Sequence, residues 1–266
     1  MLRNLSIEWL KLKNYRTFWI LSGLYLFSIP GVNFIVFRIQ QTIYEAKQSK
    51  GMVEMIVGNP PYSFPNAWHM TSYVSSYLLF IPGLLMIISV TNEYSFRTHR
   101  QNVIDGWSRR DFILTKLLLP VIAAAVSTVM VFLSATMFGF LQGENSFSLE
   151  KTIYLFYFFL QALSYTLVAL LFSILFKRGG LAIGLFFIYA LALENVLAVF
   201  MNRYADYSGR YLPLESADNL IPLPVFEQVQ RQIMKTPNFT ALLIVALVYI
   251  ALYVFLINRK FQTDDL

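Results

Sequence analysis

Residues 152–201 read TIYLFYFFLQALSYTLVALLFSILFKRGGLAIGLFFIYALALENVLAVFM. Two apolar runs, 152–176 and 181–201, are separated only by Lys177, Arg178, Gly179 and Gly180. Crossing the hydrocarbon of a bilayer takes roughly 20 mostly apolar residues at 1.5 Å each, and both runs reach that length. Neither alternates polar and apolar positions, so membrane β-strands do not fit. The stretch reads as two membrane helices joined by a tight cationic turn.

Four further runs of this kind lie outward from it, at about 17–37, 73–91, 117–141 and 238–257. The expected fold is therefore an all-α membrane protein with six transmembrane helices. Residues 1–266 form a single transmembrane domain, with polar segments at 1–16, 92–116 and 202–237. Composition agrees: 57% of the 266 residues are hydrophobic and 14% charged, where soluble domains carry about 25% charged residues. The first run is expected to stay in the mature chain. It is long, it lacks a small-residue cleavage site, and sixteen polar-rich residues precede it.

The chain has no cysteine, which excludes disulfides, thiolate nucleophiles and Cys-bound metal centres. Its two histidines, His69 and His99, are too few and too far apart for a His-based metal site. The net charge of +6 is explained by cationic cytoplasmic loops rather than by nucleic acid. With both termini inside, thirteen of the 21 Lys and Arg fall in 54 inside positions, against eight in about 80 outside. The expectation is a multi-pass protein of a bacterial cytoplasmic membrane with both termini cytoplasmic.

In residues 1–16, Leu2, Leu5, Trp9 and Leu12 follow helical spacing, with Asn4, Glu8 and Lys11 mostly elsewhere. A short amphipathic helix bearing Trp and cations suits the membrane–water boundary.

The segment 92–116, NEYSFRTHRQNVIDGWSRRDFILTK, is longer than a plain connection needs, since 177–180 connects two spans in four residues. It reads as helix, turn, helix. Glu93 and Arg97 are placed to pair four residues apart, Asp105 and Gly106 stop the first helix, and Ser108 with Asp111 resembles a capping box. A folded basic segment suits docking of another protein; positive-inside topogenesis alone also accounts for its charge.

Glu93, Thr98, Gly106-Trp107-Ser108-Arg109 and Lys116-Leu117 resemble the cytoplasmic loop of ABC-2-type transporter permeases, the membrane subunits of type V, exporter-like ABC systems. The order of segments along the chain resembles theirs as well. The resemblance implies a coupling helix between spans 2 and 3 that rests on a separate ATP-binding subunit. The docking residues it implies are Glu93, Phe96, Arg97, Thr98, Arg100, Val103, Gly106, Ser108 and Arg109. It also implies two copies of that subunit, a second permease subunit (the same chain or a different one), and short re-entrant helices between spans 5 and 6.

No G-x-x-x-x-G-K-[ST] occurs, and none of the twelve glycines precedes a lysine, so nothing here cradles nucleotide phosphates. The chain is expected to be non-catalytic and to bind no cofactor, with ATP and Mg held by the partner. Glu194, about 20 Å into the fifth span by helical rise, is the one acid deep in a run. An intramembrane acid reads as a functional candidate: with Asn195 it is a possible pathway contact, or else a hydrogen-bonded group under the outer segment. Pro30-Gly31 and Pro82-Gly83 are candidate bends. The rival readings are a channel or scaffold, and a membrane-embedded enzyme not coupled to ATP. The spans lack the paired His, Glu or Lys that such enzymes use. The expected function is export of a hydrophobic or amphipathic substrate.

Overall fold

The computed structural model describes residues 2–45, 60–96, 108–143, 147–225 and 238–263. Among them every regular element is helical. They are α1 (Leu2–Lys13), α2 (Arg16–Glu45), α3 (Asn66–Ser76), α4 (Phe80–Ser95), α5 (Arg109–Gln142), α6 (Ile153–Phe176), α7 (Gly179–Phe187) and α8 (Glu194–Tyr204), with a π-helix, Ile188–Leu193, joining the last two. A 3-10 turn (Ser208–Tyr211), the short α9 (Glu215–Asp218) and α10 (Phe239–Thr263) follow.

Among the described residues five continuous helical stretches are long and apolar enough to cross a membrane, and the bent pair α3–α4, taken as one broken span, makes six. The protein is an all-α, multi-pass membrane protein. α6 is its axis: 72% of its apolar window is buried, against 22–28% in the other four unbroken spans. It packs on α3, α4, α5, α7 and α10. With a helix apolar on every face, burial on all sides is the expected outcome.

The bends differ from the sequence expectation. α2 continues as one helix through Pro30. The second span breaks by 48° between Ser76 and Phe80, ahead of Pro82 rather than at it. Pro82 then sits in the first turn of α4, where the missing N–H deprives no carbonyl of a helical partner. Gly83 is required there for another reason. A Cβ at this position would run into the Phe186 ring, so the glycine lets spans 2 and 5 close on each other.

Ser108 caps α5 as its spacing suggested. Its hydroxyl accepts from the Asp111 N–H at 3.1 Å and donates to Asp111 Oδ2 at 2.6 Å. α1 forms as expected. Asn4 and Glu8 are buried, while Trp9 and Leu10 are about half exposed, at 49% and 57%. The polar residues Asn4 and Glu8 turn into the bundle, while Leu5 and Leu12 are half-buried.

Candidate functional site

The reason for that orientation is a four-charge cluster at the α1 end of the bundle. Lys116, in the second turn of α5, is fully buried. Its ammonium donates to Glu8 Oε2 at 2.7 Å and to Glu93 Oε1 at 2.6 Å. Lys11 donates to Glu8 Oε1 at 3.0 Å and to Glu93 Oε1 at 3.3 Å. Among the described residues two cations and two carboxylates alternate, and their charges balance. Burial alone pushes the Glu8 carboxyl up, but Lys116 and Lys11 outweigh it and hold Glu8 below the usual carboxylate range. Buried charges of this kind are tolerable only when each is paired and hydrogen-bonded.

The cluster ties three elements into one block: α1, the end of span 2 and the start of span 3. Neighbouring contacts extend it. The Phe112 and Phe261 rings meet edge-on at 5.4 Å, joining α5 to α10. The Lys177 ammonium lies 5.6 Å from the Tyr94 ring centre, joining the 177–180 turn to span 2. Both flanks of residues 97–107 are thereby anchored.

The expected docking residues divide accordingly. Phe96 is 74% exposed, and Ser108 and Arg109 are exposed as well; Arg109 also donates to the Gln262 carbonyl at 3.3 Å. Arg97, Thr98, Arg100, Val103 and Gly106 lie outside the described residues. Glu93 is buried at 6% exposure and faces Lys116. Its expected pairing with Arg97 involves a residue outside the described set, and reasoning from the sequence overlooked Glu8 and Lys11 as its neighbours. The signal was present in the polar stripe Asn4, Glu8, Lys11 at spacing 4 and 3.

Between α1 and helices α2, α4 and α5, the side chains of Leu5, Trp9 and Leu12 line an almost wholly apolar cavity of about 500 Å³ with Trp19, Tyr25 and Met86. Trp9 and Trp19 meet edge-on at 5.8 Å.

At the far end of the bundle Glu194 is buried. Its Oε1 accepts from the backbone N–H groups of Leu214 and Glu215, so the acid pins the segment after span 5 onto the bundle. Asn195 faces elsewhere. Its amide donates to the Ala190 and Leu191 carbonyls at 3.4 and 3.3 Å, at the end of the π-helix, where the Glu194 N–H goes to the Tyr189 carbonyl. Asp218, absent from the sequence expectations, accepts from Gln161 Nε2 at 2.8 Å and from the Tyr165 hydroxyl at 3.0 Å. Burial pushes its carboxyl up to about 7, reinforced by Glu215 and Glu194 and opposed by those two donors. Among the described residues no three His, Asp or Glu side chains converge as a metal site. The expected re-entrant helices reduce to the 3-10 turn and α9; residues 226–237 lie outside the described set.

The fold is a multi-pass helical bundle whose polar segment between spans 2 and 3 is flanked by a buried charge cluster. Residues 4–193 match the family described as ABC-2 family transporter protein, and the chain belongs to that family, as a permease subunit of an ABC transporter. The matched stretch contains all four residues of the charge cluster and stops just before Glu194. Comparison with curated proteins found no match.

Proposed function

We propose that this permease exports a hydrophobic or amphipathic substrate from the cytoplasmic side, driven by ATP hydrolysed in a separate subunit present in two copies. A second permease subunit completes the assembly. The α1 end faces the cytoplasm of a bacterium, and residues 94–104 dock on the ATP-binding subunit. Phe96 enters an apolar groove, and Arg97 and Arg100 meet an acidic rim.

The observation that carries this reading is the Glu8–Lys116–Glu93–Lys11 cluster. A segment that only connected two spans has no need of an anchored base. A segment that receives force does, because a displacement of 97–107 then reaches span 2, span 3 and α1 together. Glu93 serves as a positioning residue in this scheme. The apolar cavity bordered by Trp9 and Trp19 supports an amphipathic cargo, since aromatic side chains of this kind favour the level of the lipid headgroups.

The test is reconstitution with a candidate ATP-binding subunit. Phe96→Ala with Arg100→Glu is expected to abolish co-purification and stimulated ATP hydrolysis while leaving the fold intact. Unchanged binding and stimulation would remove the docking assignment.

A further inference from the structure

At the far end of the bundle two separate departures from regular helix border one cavity of about 340 Å³. The first is the break in span 2, which contributes Ser76, Tyr77 and Phe80. The second is the π-helix of span 5, which contributes Ala190 and Leu191. A π-turn inside an α-helix is rare and concentrates at functional sites. Broken membrane helices are likewise tolerated where they line a cavity rather than lipid. Here both occur against the same space, whose volume lies in the range of small-molecule sites.

The chemistry of the walls is one-sided. Glu215 and Asp218 supply two carboxylates, and among the described residues no Lys or Arg lines the cavity. Tyr73, Tyr77, Phe80 and Tyr165 supply four aromatic rings. Gln161, another wall residue, is only 3% exposed. Its Nε2 is used on Asp218, while its Oε1 has no hydrogen-bond partner. An amide oxygen buried without a donor is costly, and it stands beside a carboxylate without a cation. What this set lacks is a positively charged hydrogen-bond donor. Aromatic rings favour the same charge.

We propose that this cavity is a binding site for an organic cation, a primary ammonium group on a small apolar body. The ammonium sits against Asp218 and Glu215 and donates to Gln161 Oε1. The body lies along Tyr77 and Phe80. The proposal concerns this chain alone and requires no nucleotide, so it stands or falls separately from the export reading.

The test is a binding titration on the full chain in lipid nanodiscs, with empty nanodiscs as blank. The probes are 2-phenylethylammonium and its uncharged counterpart 2-phenylethanol, followed by saturation-transfer NMR at pH 7. The ammonium is expected to bind saturably and at least about tenfold more tightly than the alcohol, about 1.4 kcal/mol in free energy. Asp218→Asn should weaken it by about tenfold or more, and Glu150→Gln, away from the cavity, should leave it unchanged. If Asp218→Asn fails to fold, Glu215→Gln and Tyr77→Leu carry the test, each with a several-fold loss. Equal affinity for the two probes, no saturable binding, or full affinity in folded Glu215→Gln and Tyr77→Leu would overturn the proposal.

Discussion

The Lys116 ammonium lies 2.7 Å from Glu8 Oε2, although the two residues are 108 positions apart in the chain. This contact sets the orientation of α1. The stripe of Leu5, Trp9 and Leu12 by itself suits a membrane–water boundary. The cluster turns Glu8 inward, where it accepts from Lys116 beside Glu93, and Lys11 balances the second carboxylate.

Lys116→Met leaves Glu8 and Glu93 buried together without their shared cation. The expected loss is about 3–5 kcal/mol, the usual consequence of removing one partner of a buried ion pair. Unfolding of the purified chain in detergent measures it. Adding Glu8→Gln to Lys116→Met should recover part of the loss, and a cost below about 1 kcal/mol for the single change would contradict the clamp.

The cluster also has an acid limit. Glu8 is held below its ordinary value of 4.5, so its stabilising contribution is complete above that value and disappears as pH falls through the lower folded value. Detachment of α1 should therefore begin only under distinctly acidic conditions. It can be followed by tryptophan fluorescence, because Trp9 and Trp19 are in contact. Glu8→Gln should lack the acid transition.

Asp218 predicts the opposite slope. Its carboxyl is raised from 3.8 to about 7, so the folded state binds the proton more tightly than the unfolded one. Stability from this group is greatest at low pH and declines between those two values as pH rises. The wild-type melting temperature should fall from pH 5 to pH 8, and Asp218→Asn should flatten that fall.

Glu194→Gln retains an oxygen for the Leu214 and Glu215 N–H groups, whereas Glu194→Ala leaves both without an acceptor. The expected order is a small effect for Gln and a loss of about 1–3 kcal/mol per unsatisfied group for Ala. Limited proteolysis of residues 205–225 reads the release of the pinned segment. Equal behaviour of the two variants would argue against the pin.

Gly83→Ala places a methyl group against the Phe186 ring. Overpacking of this kind costs about 1–3 kcal/mol. Phe186→Leu in the same chain should restore much of it, which thermal unfolding of both variants checks.

Much of this fold is legible in the sequence because lipid imposes a simple rule: long apolar runs must close their backbone hydrogen bonds as helices. That rule pointed to the five span-length helices and the bent pair, and Ser108 located the start of α5. It says nothing about which way a helix rotates about its axis. The inward turn of Glu8 depends on Lys116, a partner no local pattern reveals. The break in span 2 was also hidden, since Pro82 pointed to a kink at itself and proved to be a helix-start residue. Glu194 stood out as an intramembrane acid, but its partners are backbone amides, which carry no residue-type signal. Asp218 and Gln161 meet across 57 positions, and each alone looks ordinary.

The distance in sequence between Glu8 and Lys116 has a bearing on biogenesis. At ribosomal speeds of about 5–20 residues per second, Lys116 is made roughly 5–20 s after Glu8. Over that interval the first helix has no cation from span 3 to hold it and can rest only on the lipid headgroups. Its final seating therefore reports that the third span has been inserted, which makes the N-terminus a built-in check on the order of assembly.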